Sequence, residues 1–141
     1  MKFVKTKAEN NGKTGQFSFR LAPSKIGGVG VFAAHEINKG TRLDFFNPKI
    51  KEVFVPAKKI KDPLEKKMRQ WFCVETKDGY FCPLDFSRME IGYYLNHSPR
   101  PNAICVRGDI YRAGRRIRSG EEITINYAQL DPAEQKILKK F

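Results

Sequence analysis

The chain has 141 residues, 40% hydrophobic and 12% aromatic, enough for one domain around one core and too apolar for an unfolded chain. No apolar run approaches the ~20 residues that span a bilayer, and the basic start from Met1 to Lys7 has no apolar stretch behind it, so neither a membrane span nor a secretory leader is expected. The net charge of +12 favours acidic or polyanionic partners, and three cysteines without a Cys-x-x-Cys pair indicate neither a disulfide framework nor a zinc site.

These features place the chain inside a cell, in the cytoplasm of a microbe or the nucleus of a eukaryotic or virus-infected cell. Much of the charge is clustered. Residues 49–69 hold eight basic side chains against Glu52, Asp62 and Glu65, and residues 100–118 hold six against Asp109. Such blocks fit nucleic acid or an acidic protein, and they equally fit a solvated surface.

Taken in order, residues 16–21 alternate, with Phe17 and Phe19 on one face and Ser18 and Arg20 on the other, which predicts a strand. A loop with three glycines follows, and residues 31–34 resume an apolar strand. Lys39-Gly40 marks a turn, and residues 41–46 read as a strand ended by Asn47-Pro48. Residues 52–55 form a short apolar piece before Pro56. Asp62 is placed to cap a helix, with Pro63 at its first position and Glu65 at its third. Leu64, Met68 and Trp71 then recur at i, i+4 and i+7, a stripe expected to face the core.

Residues 72–76 and 80–82 flank Lys77-Asp78-Gly79, a hairpin signature. Whether Cys73 meets Cys82 depends on its register. A second hairpin is expected from residues 103–106 and 110–113 around Gly108-Asp109. Arg118-Ser119-Gly120 is a turn, and residues 123–127 alternate as a strand. Asp131-Pro132-Ala133-Glu134 repeats the capped helix start. The sum is a mainly β domain with two short helices.

Three constellations carry candidate chemistry. Gly27-Gly28-Val29-Gly30 lets backbone approach a ligand, but no helix follows and the ending of a phosphate loop is missing. Taken alone, a tight turn is the simpler account. Asn96-His97-Ser98 is a polar run costly to bury without partners. Metal ligation is disfavoured, because His35 lies in an expected turn and no carboxylate is suitably spaced. Ser98 adjoins His97 in no nucleophile turn, so a structural histidine is the better account of that run alone. Gly120-Glu121-Glu122-Ile123-Thr124-Ile125-Asn126-Tyr127 places two acids before a strand. Tyr127 either aims its hydroxyl into a site or is an ordinary strand-end aromatic.

Together and in this order, the three blocks resemble the SET-domain protein lysine methyltransferases. Residues 24–33 are similar to the family's opening glycine loop and strand, and Ile37-Asn38-Lys39-Gly40-Thr41 to the lead into the next. Tyr94-Leu95-Asn96-His97-Ser98 with Pro101-Asn102, and the Gly-Glu-Glu-Ile-Thr-Ile-Asn-Tyr block, complete the likeness.

The resemblance implies one SET domain over residues 1–141, with core 16–127, an insert at 48–90 and a C-terminal helical segment at 130–141. It implies a β-clip-like fold of small curved sheets with a C-terminal pseudoknot. It implies S-adenosylmethionine as cofactor, held by Gly28, Val29, Gly30, Tyr94, Asn96, His97 and Tyr127. A lysine-presenting protein, a histone among the candidates, would enter a channel of Phe46, Cys105, Ile125 and Tyr127, with Tyr127 catalytic.

The chain departs from the family at several points. Pro99 stands where Cys usually follows Asn-His-Ser, and no Cys follows Tyr127, so no metal is expected. Closure over the substrate would then fall to residues 131–141, or a homodimer would complete the site. Phe45-Phe46 replaces a channel tyrosine. Ile125 stands where Tyr or Phe often tunes the number of methyls. Glu90, Glu121, Glu122 and Asp131 are candidates for an acidic channel mouth. Two readings stay open: a lysine methyltransferase, or a SET-like domain of little or no activity that docks to nucleic acid or acidic protein.

Overall fold

The computed structural model describes residues 17–47, 49–85, 87, 89–108 and 110–130. Its strands are short: β1 Phe19–Pro23, β2 Val29–Ala33, β3 Arg42–Leu43, β4 Glu52–Pro56, β5 Val74–Glu75, β6 Gly79–Pro83, β7 Asn96–His97, β8 Ala103–Arg107, β9 Ile110–Ala113 and β10 Glu122–Ile125. One α-helix, α1, spans Pro63–Phe72. The turns between them come from Gly, Pro and Asn at close intervals, which leaves no room for long strands. None of the described helices is long and apolar enough to cross a membrane.

The strands form three small sheets, ordered β1-β2-β10-β7, β3-β9-β8 and β4-β6-β5. Strand β10 comes last in sequence yet lies inside the first sheet. It runs antiparallel to β2, with Ile123 opposite Val31, and parallel to β7, with Thr124 opposite Asn96 and Ile125 opposite His97. The β8–β9 hairpin lies between β7 and β10 in the chain, so the final strand threads back beneath residues 96–102. That is the threaded arrangement the resemblance implies. Ile123, Thr124 and Ile125 are all buried, as expected of a strand covered on both faces.

Asn102 stitches the seam. Its Nδ2 donates to Glu122 O at 2.8 Å, and its Oδ1 accepts from Thr124 N at 2.9 Å. Beneath lies a core that includes Val31, Leu43, Leu95, Tyr111, Ile117 and Ile125, with Phe45 packed at a tilt between Phe19 and Tyr111 at 5.2 and 5.4 Å.

Residues 52–83 make the third sheet with α1 against it. The helix begins as its sequence signals: Asp62 Oδ1 accepts from Leu64 N at 3.0 Å, and Pro63 occupies the first position. The expected burial of its stripe is corrected. Leu64 is 63% exposed, Met68 41% and Trp71 68%. The inward side carries Arg69 instead. Its guanidinium donates to Glu65 Oε1 at 3.0 and 3.1 Å and to the buried Cys82 Sγ at 3.1 Å. A paired, amphipathic arginine packs the helix to its sheet and turns the stripe outward.

Two strands also differ from expectation. β1 starts at Phe19, so Phe17 is 83% exposed. Ser18 is buried instead, held to His35 Nε2 at 2.8 Å. The strand expected over residues 41–46 reduces to Arg42–Leu43, because Phe45 and Phe46 leave the sheet to pack in the core. The hairpin register sets Val74 opposite Phe81, which brings Cys73 next to Cys82. The two thiols are hydrogen-bonded to each other without a disulfide. The helix expected from Asp131, and the segment at 131–141 given the closing role, lie outside the described residues.

Candidate functional site

The glycine loop folds back on itself, with Ser24 N donating to Gly28 O at 2.9 Å. Gly28 takes φ +52°, where a side chain would strain the backbone, and nothing lies within 4 Å of where its Cβ would be. The loop therefore offers bare backbone to solvent. Asn96 holds it from beneath: Nδ2 donates to Gly27 O at 3.3 Å, Val29 O at 3.2 Å and Glu122 Oε2 at 3.0 Å. Glu122 also accepts from Ser24 Oγ at 2.6 and 2.9 Å. Gly30 makes room for this carboxylate, since a Cβ there would stand 2.5 Å from Glu122 Oε2. One amide and one carboxylate thus bind the loop, β7 and β10 together.

β7 is the edge of its sheet, so one side of the Asn96–His97 backbone faces β10 and the other has no strand partner among the described residues. His97 Nδ1 accepts from Tyr127 N at 3.0 Å, which leaves the neutral ring's proton on Nε2. The His97 and Tyr127 rings lie 5.2 Å apart, tilted by 51°. Tyr127 opens a 3-10 turn at Tyr127–Leu130, and its hydroxyl donates to Leu95 O at 2.7 Å. Burial raises its pKa, and the Glu122 charge adds to this, so the phenol stays protonated at neutral pH.

Tyr127 borders a cavity of about 130 Å³ with Trp71, Val74, Tyr93, Leu95, Ile125 and Leu130, and with Gln70, Cys73, Glu75 and Gly92. This holds the volume of about four water molecules. Tyr93 donates its hydroxyl to Glu52 Oε1 at 2.9 Å. Burial, then Glu52 and Glu90, raise its pKa. A larger cavity of about 460 Å³ lies elsewhere, lined by Phe19, Arg42, Asp44, Phe45, Phe46, Asn47, Glu90 and Ile91. None of Asn96, His97 and Tyr127 borders it, so its size does not make it the chemical site.

The fold brings Gly28, Val29, Gly30, Asn96, His97, Ile125 and Tyr127 to one place. It sets three other candidates apart from the Tyr127 cavity. Phe46 lines the larger cavity and meets Tyr93 edge-on at 5.6 Å. Cys105 is half-buried against the core, its thiol on Gly108 O at 3.2 Å and its amide on Gln129 Oε1. Tyr94 is half-buried with its hydroxyl 3.9 Å from Met89 Sδ.

The acidic mouth is also placed differently. Glu122 turns inward, Glu121 pairs with Arg115, Glu90 takes the Asn47 amide, and Asp131 lies outside the described residues. Among the described residues no group of three His, Cys, Asp or Glu side chains could hold a metal. The sequence marks Glu122 only as a candidate for the acidic mouth, not as the anchor of the glycine loop, and does not single out Ser24, Trp71 or Tyr93 as site residues. The signal for Glu122 was an acid at a strand start facing a glycine without a side chain.

The chain matches the family model of the SET domain over residues 28–128, which takes in the glycine loop, the Asn-His-Ser run and Tyr127. No curated protein sequence matches it. Among solved structures it is similar to a Plasmodium falciparum protein described as a "putative histone methyltransferase", at 24% identity and TM-score 0.49, covering 79% of this chain and 94% of that one.

Proposed function

The chain belongs to the SET-domain family of methyltransferases, and we propose that it methylates the side-chain amine of a lysine in a protein substrate, with S-adenosylmethionine as donor. The observation that carries this reading is the Tyr127 hydroxyl, held on Leu95 O beside the Asn96–His97 edge, with Tyr127 bordering a cavity of about 130 Å³. Its proton is committed to that carbonyl, so towards the cavity the oxygen presents lone pairs. With its pKa raised, it is neither base nor nucleophile. It accepts an N–H from an incoming amine and so aims that amine's own lone pair.

Trp71, Val74, Leu95 and Ile125 supply the apolar part of a lining that also holds Gln70 and Glu75. Desolvation there disfavours a lysine ammonium, so the amine is delivered neutral, while the Trp71 and Tyr93 rings tolerate residual positive charge. The residues present suit a backbone-held nucleoside: open backbone at Gly28, an unpaired edge at Asn96–His97 and an exposed imidazole. When bound, S-adenosylmethionine supplies a methyl carried on a sulfonium, and the products are methyl-lysine, S-adenosylhomocysteine and the proton lost by the lysine.

The test is calorimetric titration of the full chain with S-adenosylmethionine. Saturable one-to-one binding is expected, weakened at least about tenfold, ~1.4 kcal/mol, by Asn96→Ala. No heat at millimolar cofactor, or an Asn96→Ala protein that binds as well, would overturn the reading.

A further inference from the structure

We propose that residues 57–77 form a binding surface for single-stranded nucleic acid, with Lys58, Lys59, Lys61, Lys66, Lys67 and Lys77 meeting phosphates and the exposed Trp71 ring stacking on a base. The sequence offers two basic blocks, and the structure separates them. In the block at 100–118 three of the six arginines are tied to the protein's own groups. Arg112 donates to Gly40 O at 2.9 Å, Arg115 pairs with Glu121, and Arg116 pairs with Glu36 at 2.7 Å. The six lysines of the other surface are all exposed. None makes an ion pair or side-chain hydrogen bond among the described residues.

Lys58, Lys59 and Lys77 sit at one end of the β4-β6-β5 sheet. Ala57 N donates to Asp78 O at 3.0 Å, which joins the turn at 57–59 to the turn at 77–79. α1 starts four residues past Lys59, carrying Lys66 and Lys67. Of the nearby acids, Asp62 is engaged at the helix cap and Glu65 with Arg69, which leaves Glu75 and Asp78 against seven basic side chains at residues 57–77. Like charges held this close repel one another, and a polyanion relieves the repulsion.

The choice of nucleic acid over an acidic protein rests on α1. Trp71 is the only tryptophan in the chain and is 68% exposed. It follows Lys67 by four residues on one helix face, beside exposed Leu64 and Met68. An ammonium next to a bare aromatic face matches a phosphate next to an unstacked base. A duplex offers the phosphate without the base face. Trp71 also borders the cavity that contains Tyr127, so a bound strand would reach its rim. The surface stands on its own geometry and does not depend on methyl transfer.

The experiment titrates the full chain into a labelled single-stranded oligonucleotide, followed by anisotropy and by Trp71 emission at two salt concentrations. Binding with quenching is expected, with an affinity that falls as salt rises at a log–log slope of about −3 to −4 for ~5 phosphate contacts. Changing Lys58, Lys59 and Lys61 together to Gln should weaken binding at least tenfold and reduce that slope by about 2. Trp71→Ala should cost about tenfold, with Trp71→Phe restoring most of it. Arg116→Gln should leave affinity unchanged. Circular dichroism identifies any variant that fails to fold. Four results would each overturn the proposal: no anisotropy change at low salt, binding without quenching, competition by poly-glutamate equal to that by the oligonucleotide, or tighter binding to duplex.

Discussion

Replacing Asn102 with alanine removes a side chain that is 3% exposed and holds two backbone groups of β10. The carbonyl of Glu122 loses a donor at 2.8 Å and the amide of Thr124 loses an acceptor at 2.9 Å. The methyl of alanine replaces neither. A buried group left without its partner costs about 1–3 kcal/mol, so the two together cost about 2–6 kcal/mol. That is a large part of the ~5–15 kcal/mol that holds an ordinary domain together. In urea, with m of about 1–3 kcal/mol/M, the midpoint should fall by about 1 M or more.

Asn102→Asp separates the two bonds. It keeps the acceptor for Thr124 N but sets a second oxygen against Glu122 O. Burial beside a carbonyl raises a carboxyl's folded pKa above its unfolded value. The stabilising protonated form is therefore present at low pH and lost as pH rises through the folded pKa. This variant should be weakest at neutral pH and recover on mild acidification. An Asn102→Ala protein within ~0.5 kcal/mol of wild type, or an Asn102→Asp protein indifferent to pH, would refute the role given to the seam.

Three further outcomes are expected. Gly30→Ala would bring a methyl 2.5 Å from Glu122 Oε2 and 3.0 Å from Asn96 Nδ2, so the carboxylate must leave Ser24 and Asn96. A loss of about 1–3 kcal/mol in denaturation, with weaker cofactor binding by calorimetry, is expected; an unchanged protein would contradict the network. Burial, with the hydrogen bond to Cys82, pushes the Cys73 thiol up to about 12. At pH 8 roughly one part in ten thousand is thiolate, so peptide mapping after iodoacetamide should find Cys73 labelled far more slowly in the folded than in the denatured chain. The hydrogen bond from Arg115 holds the Glu121 carboxyl below its usual range, against a smaller opposing effect of burial. Its stabilisation is present above the unfolded pKa and lost as pH falls through the folded one. Because Arg115 is largely exposed, Glu121→Gln should cost no more than ~1 kcal/mol at pH 7, and the difference from wild type should vanish in acid.

What the sequence made legible was local. The cap at Asp62-Pro63-Glu65 depends on neighbouring residues alone, and α1 starts there. The last hairpin was likewise readable, and the motif order pointed to the fold; the strand before Tyr127 was readable too, though it ends at Ile125 and is buried on both faces instead of alternating. The outward face of α1 was not readable. Periodicity places Leu64, Met68 and Trp71 on one stripe but cannot say that Arg69 reaches Cys82 and claims the packed side. Alternation at Phe17 and Phe19 could not reveal that His35 holds Ser18 inside. Glu121 and Glu122 look equivalent in sequence. Glu121 lies in the turn before β10 and meets Arg115, while Glu122 opens the strand and meets Asn96 and Ser24. Phe46 lies outside the Tyr127 cavity because its ring fills the space above Gly92, a contact between residues far apart in the chain.

The central claim concerns methyl transfer governed by Tyr127. It is tested most directly by incubating the full chain with S-adenosylmethionine carrying an isotopically labelled methyl, together with cell lysate, and reading labelled peptides by tandem mass spectrometry. Label on lysine side-chain nitrogen is predicted for the wild type. Tyr127→Phe should lower the rate at least about a hundredfold while changing cofactor affinity less than about threefold, the mark of a group acting in the transition state. No labelled lysine from a chain that binds the cofactor, or Tyr127→Phe turnover equal to wild type, would contradict the account.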